Sequence, residues 1–384
     1  MRRRRGTPRG RRGRYRRVAG PVNPHPARPC APTPGAPRRA AVGSGARYPE
    51  LAVPAAVQTP SCAALAREHD AQLAGTAPVA AGWLLVEQPG PWGRKALHES
   101  GLDPAIGGPL DRAAKAAGVR AQAIRRPGRG ARSASPGRGA RSASPGRGAR
   151  SASPGRAGPG PFTERTVVLA HTGATPWAEV LTVADDRELA ALDPTLPRHP
   201  TPPGLGPLAP GPLWLVCTHG KRDRCCAELG RPLADALALV HGDAVWEVSH
   251  IGGHRFAGNL LTLPDGLVHG NLDVAGALAV VDRHRAGRLD VARLRGRSGL
   301  PRPAQAAEVL VRDHLGVDAL DAVTDLEVVA RDDGRELTAR LTVAGTRYAA
   351  RLEHRDTGTS YRMACDNDDL EDPGRFTLVA LERS

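Results

Sequence analysis

Apolar and polar positions along this 384-residue chain switch repeatedly between helical and strand spacing. In SCAALAREHDAQL, Ala63, Leu65, Ala66 and Leu73 recur at helical intervals. GWLLVEQP is a short apolar run stopped by Pro89 that suits a buried strand, and DPAIGGPLDRAAKAAGVRAQAIRR predicts a further helix and strand, an αβαβ pattern. Farther on, TVVLAHT (166–172), PLWLVCT (212–218) and AVWEVSH (244–250) read as buried strands. RCCAELGRPLADALALV reads as a helix, NLLTLPDGLVHG as a hairpin, and VAGALAVVDRHRAG as a closing helix. Strands alternating with helices predict an α/β sheet. From residue 297, a helix (AQAAEVLVRDHLG) precedes the alternating segments LEVVARDDGRELTARLTVAGTRYAARLEH and FTLVALE, which predict a small antiparallel α+β module.

Two stretches carry no such periodicity. Residues 1–58 are rich in Arg, Pro and Ala and cannot bury enough apolar surface to offset ordering entropy, so a disordered basic arm is expected. The unit PGRGARSAS occurs three times in tandem from Pro127 to Ser153 and restarts at Pro154, which predicts an inserted, disordered linker over 127–161. The expected organisation is therefore an arm (1–58), an N-terminal α/β part (59–126), the insertion (127–161), a main α/β domain (162–296) and an α+β module (297–384).

Charge follows the same division. The net charge is +15, yet residues 1–50 and 125–156 together carry +22, which leaves −7 on the part able to fold. Basicity that sits in tails argues against nucleic acid as the main partner, beyond non-specific contact by the arm. Six cysteines, three of them within ten positions, do not form the framework of a secreted disulfide protein. No apolar segment follows the charged N-terminus and no stretch of 18 apolar residues occurs, so a cytoplasmic protein without membrane association is expected.

Candidate chemistry concentrates in CTHGKRDRCC and SHIGGH. Cys217 closes a predicted central strand, Cys226 falls in the first turn of the next helix, and His250 ends the next strand, with His254 beyond two glycines. Adjacent strand ends in an α/β sheet bring such groups together, and a helix N-terminus favours the thiolate of Cys226. Two thiols and two imidazoles suit a structural zinc ion, an iron–sulfur cluster, or buried residues without metal; residue spacing leaves these open. Cys225, next to Cys226, is an alternative ligand or a buried spare thiol. Cys62 and Cys365 are expected in cores, and Cys30 in the arm.

The combination CTHGKRDRCCAELGRPL, VSHIGGHRFAGNLL and LVHGNLD, with EQPGPWGRKAL and AIRRPGR upstream, resembles the sucrase/ferredoxin-like family, actinobacterial type, related to the fungal actin-patches-distal proteins. The resemblance implies a thioredoxin-like ferredoxin domain, preceded by a smaller α/β segment and followed by a small α+β module. It also implies a [2Fe-2S] cluster held by Cys217, Cys226, His250 and His254. Such ligation gives a neutral oxidised cluster, and mixed His/Cys ligation elsewhere gives potentials of roughly −150 to +300 mV. Lys221, Arg222 and Arg224 in the ligand loop would push in the same direction, and titratable imidazoles would couple electron and proton uptake.

His219, Asn259 and His269 are candidates for hydrogen bonding around the site, and Trp92 and Arg94 for covering it or docking a partner. A one-electron carrier served by a separate reductase and acceptor is the leading expectation, since no convincing GxGxxG setting supplies a nicotinamide or flavin site. The alternatives are a zinc-stabilised binding protein and a thioredoxin-type thiol-disulfide oxidoreductase, the latter weakened by the absence of C-x-x-C. No paired-carboxylate constellation supports the sugar hydrolysis that the word sucrase suggests.

Overall fold

A computed structural model of the chain describes residues 59–128, 164–330 and 335–384. All belong to one compact unit, Gln58–Ser384. The expected arm, and all of the expected insertion except Pro127 and Gly128, lie outside the described residues.

The first part runs α1 (Cys62–Glu68), β1 (Gly82–Glu87), α2 (Pro104–Ala116) and β2 (Val119–Arg125). It continues with β3 (Arg165–His171), β4 (Trp177–Val183), α3 (Asp186–Ala191), β5 (Leu213–Cys217), α4 (Arg224–His241) and β6 (Val245–Val248). Then come β7 (Leu260–Leu263), β8 (Leu267–His269), α5 (Val274–Arg285) and β9 (Leu294–Arg297). These nine strands form one mixed sheet in the order β4-β3-β1-β2-β6-β5-β7-β8-β9. The sequence patterns on either side of the repeat thus feed a single sheet.

Within it, β5 and β6 are parallel through the α4 crossover, β7 is antiparallel to β5, and β8 to β7. The local order β6-β5-β7-β8 is the βαβ–ββα arrangement of a thioredoxin-like unit. Helices α4 and α5 cover one face, packing Leu233, Leu237, Ala277 and Val281 on Trp214 and Val216. On the opposite face, Trp83, Leu215, Trp246 and Leu261 from distant strands share one core, because the sheet curls. The curl brings the segment after β9 onto β1, where Trp83 Nε1 donates to Ser298 Oγ at 3.1 Å and the Ala80 amide to the Ser298 carbonyl at 2.7 Å. Every residue of β5 is buried, which explains why LWLVC reads as a continuous apolar run rather than an alternating one.

The chain ends with α6 (Arg302–Leu315), β10 (Val323–Ala330), β11 (Glu336–Val343), β12 (Thr346–Arg355), β13 (Tyr361–Ala364), β14 (Asn367–Glu371) and β15 (Arg375–Arg383). An antiparallel sheet, β10-β11-β12-β15, packs Leu337, Leu341 and Leu352 against Ala307 and Val311 of α6. The β13-β14 hairpin returns to α1, where Tyr361 stacks on His69 at 5.2 Å and Arg362 donates to the Pro60 carbonyl at 2.8 Å. Strands β4 and β9 and this hairpin are absent from the sequence-based expectation. Residues 367–371 are all exposed, so β14 has no apolar stripe to announce it.

Candidate metal centre

Parallel pairing of Cys217 with Val248 sets the ends of β5 and β6 side by side, so Cys217 and His250 emerge at one edge of the sheet. Cys226 reaches the same place from α4. Asp223 caps that helix by accepting the Cys225 amide at 2.9 Å, and Gly230 allows it to lie against β5. A Cβ at Gly230 would stand 2.1 Å from the Cys217 carbonyl oxygen, so only glycine permits this approach.

Cys217, Cys226 and His250 come together with one potential ligand atom each, all within 4.8 Å of one another. Both cysteines are buried, and Cys226 Sγ lies 3.9 Å from His250 Nδ1. His254 is not within that triad. It stacks on His250 with ring centroids 5.1 Å apart, and its Nδ1 is buried with no hydrogen-bond partner among the described residues. Its Nε2 faces Asp223 Oδ2 at 3.9 Å. Burial pushes the His254 pKa down, which favours the neutral imidazole that a metal requires.

The two thiols are unequal. The Cys226 thiol, helped by His250 and opposed by burial, holds Cys217 well below the usual thiol range, while hydrogen bonding to Cys217 and then burial push Cys226 up. The pKa of Cys226 is thus raised rather than lowered as its place at a helix N-terminus suggests, its hydrogen bond to Cys217 being the largest cause.

The loop holding the histidines is seated on Arg295 of β9. This fully buried guanidinium donates to the Gly252 carbonyl at 3.1 Å, Asn259 Oδ1 at 2.8 Å and Thr76 Oγ1 at 3.1 Å. Asn259 in turn donates to the Gly253 carbonyl at 2.9 Å. Burial depresses the Arg295 pKa to about 9. His219 braces the other side: its Nδ1 accepts the His250 amide at 3.2 Å, so Nε2 carries the proton and donates to the Gly93 carbonyl at 2.7 Å. Trp92 meets the His219 ring edge-on at 5.8 Å. Near them Glu247 accepts from Arg125 Nε at 2.9 Å and Thr218 Oγ1 at 2.6 Å, tying β2 to β6.

Of the other expected neighbours, Arg94 is exposed and pairs with Asp366, and His269 sits buried on β8 with neither ring nitrogen hydrogen-bonded among the described residues. Lys221, Arg222 and Arg224 are exposed. A small cavity of about 190 Å³ beside His250 is bordered by Arg94, Lys95, His219 and Arg222. Sequence reasoning missed Asp223 and Arg295. An Asp directly before a predicted helix is a capping signal that could have found the first. A buried arginine leaves no such trace.

A family model described as sucrase/ferredoxin-like matches residues 73–296. The chain is also similar to altered inheritance of mitochondria protein 32 of Candida glabrata, 44% identical over 55 residues, which covers 12% of this chain and 17% of that protein. No solved structure matches.

Proposed function

The chain belongs to the sucrase/ferredoxin-like family, whose model spans more than half of it, and on that premise we propose that it is an iron–sulfur electron-transfer protein. Its cofactor would be one [2Fe-2S] cluster held by Cys217, Cys226, His250 and His254. The observation that carries this reading is the convergence of two buried thiols and the His250 imidazole at adjacent strand ends, within 4.8 Å of one another. The Nδ1 of the stacked His254, buried and without a hydrogen-bond partner among the described residues, supplies a fourth donor of the right chemistry.

Bound there, the cluster supplies one-electron transfer at a relatively high potential, because two thiolates and two neutral imidazoles leave its oxidised form uncharged. The chain's residues set the conditions. Arg295, buried behind the histidine loop, adds fixed positive charge that favours an incoming electron, and the exposed Lys221, Arg222 and Arg224 act in the same direction through solvent. Imidazole ligands of a reduced cluster would take up a proton at their outer nitrogen, which would couple the electron to a proton. His219 holds the His250 backbone, and the exposed Lys95 and Arg222 beside it offer positive charge to a partner. Reductase and acceptor are separate proteins, and acidic docking surfaces on them would complement this charge.

Anaerobically purified full-length protein tests the reading. It should be coloured in the visible and contain about two irons and two sulfides per chain. Colourless protein that holds only zinc would overturn it.

A further inference from the structure

Beside the candidate cluster ligands, three thiols from remote parts of the chain meet. Cys62 opens α1, Cys225 lies in the first turn of α4, and Cys365 sits in the turn between β13 and β14. Their sulfurs form a near-equilateral triangle: Cys62 to Cys225 at 3.6 Å, Cys225 to Cys365 at 3.4 Å, and Cys365 to Cys62 at 3.5 Å. Asp223 completes the group, its Oδ2 lying 3.6 Å from Cys62 Sγ. We propose that Cys62, Cys225, Cys365 and Asp223 form a second metal site, which takes a single zinc ion.

Geometry selects a mononuclear tetrahedral site. Thiolates bound about 2.3 Å from one zinc at tetrahedral angles lie about 3.8 Å apart, and a carboxylate oxygen at about 2.0 Å lies about 3.5 Å from each sulfur. The three sulfur–sulfur separations and the 3.6 Å from Asp223 Oδ2 to Cys62 Sγ fall within a few tenths of an ångström of these values, and the other donor pairs lie within 4.8 Å. Three sulfurs this close cannot sit on different irons of a cluster, so the group is not a second iron–sulfur site. A carboxylate among the donors favours zinc over monovalent copper, which prefers sulfur alone.

The surroundings are also those of a ligand set. The Cys62 amide donates to Cys365 Sγ at 3.4 Å, while the Cys225 and Cys365 amides fix both oxygens of Asp223 at 2.9 and 2.8 Å. Such bonds orient ligands and stabilise their charge. Cys62 and Cys225 are fully buried, and no disulfide joins the three. Cys62 and Cys225 also pack against Ala63 and Ala257, but apolar packing alone does not require three thiols and a carboxylate to converge, whereas a metal does. Zinc here would clamp α1 and the C-terminal hairpin onto the turn that carries Cys226, while leaving Cys217, Cys226 and the histidines free for their own metal.

The test compares full-length wild type with Cys62→Ser and Cys365→Ser after reduction, incubation with zinc and desalting. Wild type should retain about one zinc per chain more than either folded variant, with iron content unchanged in all three. Cobalt in place of zinc should give tetrahedral and thiolate charge-transfer bands that both variants lose. Zinc content equal in wild type and a folded Cys365→Ser variant would overturn the site. Should the variants not fold, alkylation of wild type in mild denaturant decides: zinc should protect Cys62, Cys225 and Cys365 relative to chelator-treated protein, and equal labelling refutes the proposal.

Discussion

The seating of the histidine loop on Arg295 can be tested at two adjacent glycines. Gly252 and Gly253 have φ values of +97° and +72°, so alanine at either position forfeits about 1–2 kcal/mol of backbone energy. Their surroundings differ sharply. A Cβ at Gly253 would lie 2.2 Å from Arg295 Nη2 and 2.7 Å from its Cζ, whereas at Gly252 the nearest atom is Pro78 Cβ at 3.9 Å. The guanidinium cannot simply swing away, being fully buried and bonded to Thr76, Gly252 and Asn259. Moving it breaks at least one charged hydrogen bond, worth about 1.5–3 kcal/mol. Gly253→Ala should therefore destabilise the protein by about 3–5 kcal/mol, and Gly252→Ala by about 1–2. Urea unfolding of the full chain, followed by the fluorescence of its buried tryptophans, reads both midpoints. In an Arg295→Ala background the excess at Gly253 should disappear. Equal midpoint shifts for the two glycines, with unchanged slopes, would refute the claim that Arg295 supports this loop.

Cys226→Ser should abolish the visible absorbance of the proposed cluster, and Cys225→Ser should retain it, because Cys226 faces Cys217 and Cys225 faces Cys62; loss of colour only in Cys225→Ser reverses that assignment. Arg125→Met leaves the buried Glu247 carboxylate without its cation and should cost about 3–5 kcal/mol in urea unfolding. A loss below 1 kcal/mol, as for an exposed pair, contradicts the buried reading. Burial holds the His269 pKa at about 4. Stability from this group is thus complete above about pH 6.5 and falls as pH drops to about 4, where the unfolded chain takes a proton that the folded one refuses, by roughly 3 kcal/mol. His269→Leu should flatten that slope, and an unchanged wild-type slope in the variant would exclude His269 as its source.

What local pattern reveals here is instructive. The run LWLVC, the capped helix after it and the hairpin NLLTLPDGLVHG are readable because each has its own periodicity and stop signals. Their succession places Cys217, Cys226 and His250 at neighbouring ends. Strand β9 was not legible: it is only four residues long, and LRGR has a polar appearance although Leu294 and Arg295 are buried. A buried guanidinium is tolerable only where carbonyls from other segments meet it, and Thr76 and Gly252 come from distant parts of the chain.

Sequence alone therefore determined the α/β class, the strand-end position of the candidate ligands and the family resemblance, since these depend on near-neighbour spacing along the chain. It could not separate the roles of Cys225 and Cys226. Consecutive residues of a helix point about 100° apart, so one must face away from the other's partners, but which partners wait on each side depends on the fold. Only tertiary structure brought Cys62 and Cys365, 303 residues apart, to either side of Cys225, and gave Asp223 both their company and the cap of α4. Such contacts arise from sheet curl and a returning hairpin, long-range packing that leaves no period in the sequence.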